Sequence, residues 1–273
     1  MKTSFVFAIA GLALTVAPAV VTPALAVPTT LWAVDASATG SGVSNPAYAE
    51  QFSLTGALLQ RVTLGSGFNP TGIATIGNTG YVTSDADGLL RTFNLSTGAI
   101  GASYTTGQNA LGALTTDGTS LFASDFTGGN RAYRFSLTGA PLGSVVLGNC
   151  GSYCNGLEYE AGSLIADRGQ NQGPYDRYST TGALQAANLF SLGDGGALAY
   201  NPDTRTQYAA VSGGTGGVQT STGAFITFGG TIPNTGFGTE RFINDLAIQV
   251  PEPTTLALLA TGLGMLGLRR RRG

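Results

Sequence analysis

The sequence predicts an all-β protein, a five-bladed β-propeller of four-stranded blades closed by the C-terminal strand, and three observations lead there. A Thr-Gly-Ala turn recurs at Thr55-Gly56-Ala57, Thr97-Gly98-Ala99, Thr138-Gly139-Ala140, Thr181-Gly182-Ala183 and Thr222-Gly223-Ala224, with its glycines 42, 41, 43 and 41 residues apart. A fixed period of this length, filled with short strands and turns, marks propellers and related arrays. Charged residues make up only 10% of the 273 while Gly numbers 42, which suits a turn-rich β body better than a helical or disordered chain. Finally, one strand is missing at the start of the repeats and one is left over at their end.

Each turn lies between β-competent runs, as between Tyr133-Arg134-Phe135-Ser136-Leu137 and Leu142-Gly143-Ser144-Val145-Val146-Leu147. Its glycine supplies the positive φ a tight hairpin needs, and the Ser and Thr before it bond the local backbone. Four copies follow an aromatic, Phe52, Phe93, Phe135 or Tyr178. Each copy therefore reads as the hairpin joining the two outer strands of a blade.

The two inner strands come from a second signal. Residues 69–76 lead through Gly77-Asn78-Thr79-Gly80 to Tyr81-Val82-Thr83-Ser84-Asp85, with counterparts at 112–125, 156–167 and 196–212. Leu31-Trp32-Ala33-Val34-Asp35 is a second strand without a first, and Asn244-Asp245-Leu246-Ala247-Ile248-Gln249 is a first strand without a second. Pairing the two completes five units and removes an open sheet edge.

The ends of the chain are addressed differently. Met1–Ala26 reads as a signal peptide: Lys2, an apolar core over Phe5–Ala17, and Ala24-Leu25-Ala26 as a cleavage pattern. Residues 27–250 then form the propeller, and 251–273 a tail in which Thr254–Leu268 is an apolar transmembrane helix stopped by Arg269–Arg272. At 15 residues that run is short for a span, which needs ~17–25.

Composition excludes several chemistries. Within residues 27–250 eight Arg face fourteen Asp and Glu, net −6, which speaks against nucleic acid as a partner. The chain has no His, so a Ser-His-Asp triad, a His-based zinc site and a His general base are all ruled out. Cys150 and Cys154, the only cysteines, bracket three residues and read in an exported protein as a disulfide clip on a loop.

The candidate site is a ring of polar residues at one mouth of the central channel. Asn69, Asn109, Asn155, Asp194 and Asn244 with Asp245 open the first strands, while Asp35, Asp85, Asp125 and Asp167 end the second strands. In an up-and-down blade both positions fall at the same end. Such oxygen ligands suit a hard cation such as Ca²⁺, and the same residues cap turns through their own side chains. Glu158 and Glu160, two residues apart on one strand, fit a glycosidase pair, and equally a pair that lines a wet channel or packs beside Arg168 or Arg177. The loops Ala36–Asn45 and Arg168–Pro174, with Tyr153 and Tyr175, complete the expected ligand surface.

Three resemblances add to this reading. Pro70-Thr71-Gly72-Ile73-Ala74 followed by Tyr81-Val82-Thr83-Ser84-Asp85 resembles the NHL-type propeller repeat, which implies a scaffold and no single activity. Pro251-Glu252-Pro253, the apolar run and the terminal arginines resemble the PEP-CTERM sorting tail. That resemblance implies an exosortase-type processing enzyme, an inner-membrane intermediate held by residues 254–268, and delivery to the cell surface or matrix of an exopolysaccharide-producing Gram-negative bacterium. Asn155-Gly156-Leu157 and Asp194-Gly195 look like metal-ligand positions of gluconolactonase-type propellers, which implies Asn109, Asn155 and Asp194 as ligands and Asp194 or Asp167 as base. The leading expectation is a cofactor-free binder of polysaccharide or protein, through Asn69, Asn109, Asn155, Asp167, Tyr175, Asp194 and Asn244. The alternative is a metal-dependent lactonase, with Ca²⁺ the metal expected.

Overall fold

The computed structural model describes residues 29–35, 47–151, 154–169, 173–193, 196–212, 216–230 and 241–250. The signal peptide, the sorting tail with Pro251, Glu252 and Pro253, the loop 36–46, Tyr153 and Asp194 lie outside them.

Twenty strands follow in order. The first unit supplies β1 (Thr30–Asp35), β2 (Ala47–Ser53) and β3 (Leu58–Gly65); the second, β4 (Pro70–Ile76), β5 (Thr79–Ser84), β6 (Leu89–Asn94) and β7 (Ile100–Thr105). Next come β8 (Leu111–Thr116), β9 (Leu121–Asp125), β10 (Arg131–Phe135) and β11 (Pro141–Val146), then β12 (Leu157–Glu160), β13 (Ser163–Ala166), β14 (Tyr175–Ser179) and β15 (Leu184–Phe190). The last are β16 (Leu198–Asn201), β17 (Thr206–Val211), β18 (Gly217–Thr220), β19 (Phe225–Thr227) and β20 (Ile243–Gln249). They form five antiparallel four-stranded sheets, and the first is ordered β20-β1-β2-β3. The chain does close on itself: Leu31 pairs with Ile248 and Ala33 with Leu246. Side chains reinforce the seam, since Trp32 Nε1 (3.0 Å) and Gln51 Nε2 (3.2 Å) both donate to Gln249 Oε1.

The core is divided among the five blade interfaces. Between blades one and two, Trp32, Val34, Val62, Ile73, Val82 and Phe93 pack together; between blades five and one, Leu31, Phe52, Val218, Phe228 and Leu246 do so. Three further clusters fill the remaining interfaces. The aromatics that precede four of the turns, Phe52, Phe93, Phe135 and Tyr178, are all buried. Each contributes about 1.5–3 kcal/mol by leaving water.

The repeated turn glycine has a second task beyond its positive φ. In four of the five copies it presses on the outermost strand of the preceding blade. A Cβ on Gly56 would stand 2.1 Å from Thr227 O, on Gly182 2.6 Å from Val146 O, on Gly139 2.9 Å from Tyr104 Cβ, and on Gly98 3.2 Å from Val62 Cγ2. Only at Gly223 is there open space. The turn therefore repeats because it fixes blade spacing as well as strand reversal.

Candidate functional site

Inner strands leave one edge facing the channel, and their backbone groups need partners there. Side chains supply them. Asp245 Oδ2 accepts hydrogen bonds from Ile73 N (2.8 Å) on β4 and Leu114 N (2.9 Å) on β8, joining three blades at the axis. Thr71 donates to Leu111 O, Thr75 to Ile248 O, Thr83 to Gly112 O and Tyr175 to Gly196 O, while Thr115 Oγ1 accepts from Tyr159 N. This lacing separates two cavities, one at each end of the channel.

The first cavity, about 260 Å³, lies where the inner strands begin. Asn69, Thr71, Phe126, Asn155, Ser212, Phe242 and Asn244 line it, and no lining residue among those described is charged. Its geometry comes from β-bulges. On β20, Val34 pairs with Asp245 but Asp35 with Ile243, which leaves Asn244 as the extra residue; on β4 the same count leaves Thr71. A bulge re-aims a side chain out of the alternating pattern, and here it turns one residue of each strand into the mouth. Asn244 Nδ2 donates to Pro70 O (2.7 Å), and Asn69 Nδ2 to Asp85 Oδ2 (2.8 Å).

The expected ring is thus partly assembled. Asn69, Asn155 and Asn244 share the mouth, whereas Asn109 is exposed on the loop before β8 and is not among the lining residues. Of the three ligands implied by the lactonase resemblance, Asn155 alone lines the mouth among the described residues. Tyr175 is buried, and its hydroxyl donates to Gly196 O (2.6 Å), behind the cavity wall.

The second-strand carboxylates cap local structure. Asp35 Oδ1 accepts from Phe242 N, and Asp125 from Thr127 N and the Tyr133 hydroxyl. Burial pushes the Asp85 carboxyl up, against the bond from Asn69. Burial also drives Asp167 up to about 8, despite the opposing amides of Gly169, Asn155 and Gly156. Phe126, Ser212 and Phe242 were not anticipated; the signal for two of them is position, one residue past the second-strand Asp and two before Asn244.

The second cavity, about 350 Å³, opens where the inner strands end and is lined by Thr75, Thr116, Asp117, Glu158, Tyr159, Tyr200 and Gln249, among others. Glu158 is raised well above the usual carboxylate range by burial and by the nearby Asp245 carboxyl, and Thr115 bonds to it. Glu160 instead pairs with Arg177 at 3.1 Å, so the two glutamates are not an equivalent pair. Arg168 pairs with Asp176 (3.0 Å).

Cys150 and Cys154 form the expected disulfide, buried at the base of the loop that opens β12. Their sulfurs and a carboxylate oxygen of Asp167 all lie within 4.8 Å of one another.

Comparison with known proteins decides the address of the chain. Residues 249–272 match the PEP-CTERM protein-sorting motif. The PEP-CTERM tail begins at Gln249, the end of β20 farthest from the Asn244 mouth, and marks an exported protein sorted through the membrane to the cell surface by an exosortase. Among the described residues no helix is long and apolar enough to cross a membrane; the membrane segment that the motif implies lies outside them. No curated protein matches the chain. Among solved structures, a chain of a nidogen/laminin complex matches with a TM-score of 0.52 at 11% identity, covering 82% of this chain and 100% of that one. Glutaminyl cyclase from Myxococcus xanthus matches with a TM-score of 0.49 at 16% identity, covering 81% and 95%. The first shows a shared fold and nothing further.

Proposed function

We propose that this PEP-CTERM protein is a non-enzymatic surface or matrix propeller that binds a neutral, hydroxyl-rich polysaccharide at the mouth formed by Asn69, Asn155 and Asn244. The carrying observation is the chemistry of that cavity: amide and hydroxyl groups with two phenylalanines, and no charge among its described lining residues. Amides offer both a donor and an acceptor to sugar hydroxyls, while Phe126 and Phe242 offer apolar faces to the sugar ring. A bound divalent cation would want several carboxylate oxygens, whereas Asp35, Asp85 and Asp125 accept bonds from Phe242 N, Asn69 Nδ2 and Thr127 N. An N-terminal signal peptide, residues 1–26, carries the chain out of the cytoplasm. An exosortase of a Gram-negative host then acts at Pro251–Pro253, at the opposite end of β20, so processing leaves the mouth intact.

Affinity electrophoresis of the full chain through gels containing dextran or alginate tests this reading. Retardation by dextran, weakened at least about tenfold by Asn244→Ala with Phe242→Ala, is the expected result. Retardation by alginate alone, or retardation that both variants leave unchanged, contradicts it.

A further inference from the structure

The mouth at Asn69, Asn155 and Asn244 opens into a pocket whose floor is made by the inner strands themselves. Glycine stands in or just before four of the five inner strands at matching places: Gly72, Gly112, Gly156 and Gly196. Their backbones come too close to a neighbour for any side chain. A Cβ on Gly72 would stand 2.3 Å from Gly112 O, and one on Gly156 would stand 2.3 Å from Gly196 O, each across a blade boundary. On Gly112 it would meet Ser124 Oγ at 2.4 Å and Cys154 O at 3.3 Å. Glycine at such a place in a strand marks the close approach of another backbone.

On the fifth inner strand the matching residue is Asp245, which precedes Leu246 as Gly72 precedes Ile73 and is fully buried. From β20 its Oδ2 reaches Ile73 N (2.8 Å) and Leu114 N (2.9 Å), which follow Gly72 and Gly112 on their strands. Three blades therefore hold this stopper. Among the described residues, the cavities on either side of it share no lining residue. The small void beside Ile73 and Leu114, about 40 Å³, shares Thr75, Thr116, Glu158, Tyr200 and Ile248 with the second cavity and nothing with the first. The mouth is thus a blind pocket.

We propose that this pocket recognises the end of a polysaccharide chain and not a run of its internal sugars. The inference rests on the polysaccharide reading above and adds which part of the polymer is bound. A chain lying in an open cleft or threaded through a channel presents internal sugars, whereas a pocket closed at its base by backbone admits only what enters and leaves by one opening. Its volume of about 260 Å³ falls just below the roughly 300–1,000 Å³ of pockets that enclose drug-sized ligands, which limits the occupant to about one or two sugar rings. A terminal sugar also keeps a hydroxyl that an internal sugar loses to its glycosidic bond, and an asparagine amide can both donate to such a hydroxyl and accept from it.

The test is displacement of the full chain, in detergent, from dextran gels by linear isomalto-oligosaccharides of two lengths, one about tenfold longer than the other, compared per mole of chain. End recognition predicts half-maximal displacement at the same molar concentration within about twofold, because both lengths carry the same number of ends. Potency that rises in proportion to length, or retardation that neither oligosaccharide relieves, overturns the inference and leaves the polysaccharide reading standing. No retardation by dextran at all overturns both. Ser212→Leu fills part of the pocket and should weaken both lengths at least about tenfold. Unchanged potency in a folded Ser212→Leu chain would mean that the sugar lies across the opening, which contradicts the proposal. If Ser212→Leu does not fold, the comparison of lengths on the wild type decides.

Discussion

Arg241 Nε lies 3.0 Å from Glu50 Oε2, and both side chains are buried. Arg241 stands just before β20, Glu50 lies on β2, and the guanidinium also sits over Phe52 of blade one (5.3 Å) and Phe228 of blade five (6.0 Å). On its other side Glu50 Oε1 accepts from Arg61 Nε at 2.7 Å. The ring is thus closed by a charge network as well as by strand pairing. Breaking a buried pair by deleting one partner typically costs about 3–5 kcal/mol. Arg241→Met should therefore lower the urea unfolding free energy by roughly 3 kcal/mol. Adding Glu50→Gln should restore little of that loss, because Glu50 keeps Arg61 as its partner when Arg241 is gone.

The turn glycines should not be equivalent. Gly223→Ala meets open space and pays only for its left-handed backbone, about 1–2 kcal/mol. Gly56→Ala would in addition drive a methyl group into Thr227 O, adding roughly 1–3 kcal/mol of overpacking. Thermal unfolding of the two variants should rank Gly56→Ala clearly below Gly223→Ala, and equal losses would show that the hairpin does not set blade spacing.

Much of this fold is written in the sequence because glycine spacing and strand count are local signals. The swap of residues 244–249 into the first blade followed from counting strands, and β20 pairs with β1 as expected. What the sequence hides is the direction of side chains at irregular positions. Asn244 and Asp245 look like one polar pair, yet a bulge sends Asn244 to the mouth and Asp245 to Ile73 and Leu114 across the channel. Arg241 is equally silent, since a lone arginine in a polar stretch reads as solvated until Phe52, Phe228 and Glu50 are brought around it. The contact of each turn glycine with its preceding blade joins residues that no periodicity places together.

Stability should depend on pH in two opposite ways. Burial raises Asp167 to about 8 and also raises Asp245 and Glu158. The native state therefore binds more protons than the unfolded chain above the ordinary carboxylate range, and stability falls as pH rises from about 4 to about 8. Burial works against Asp117 too, but bonds from Thr119 and Ser120 outweigh it and hold that carboxyl at about 2. Its contribution is complete above about pH 4 and is lost as pH falls towards 2. Urea midpoints should accordingly peak near pH 4–5, and Asp167→Asn should flatten the decline on the alkaline side.

Saturation-transfer difference NMR between the full chain in detergent and dextran oligosaccharides tests the ligand site most directly. The account predicts transfer to the sugar ring protons that is lost in Asn244→Ala with Phe242→Ala and retained in Glu158→Gln at the opposite cavity. Transfer that survives the first substitution and disappears with Glu158→Gln would place binding at the other end of the channel and contradict the account.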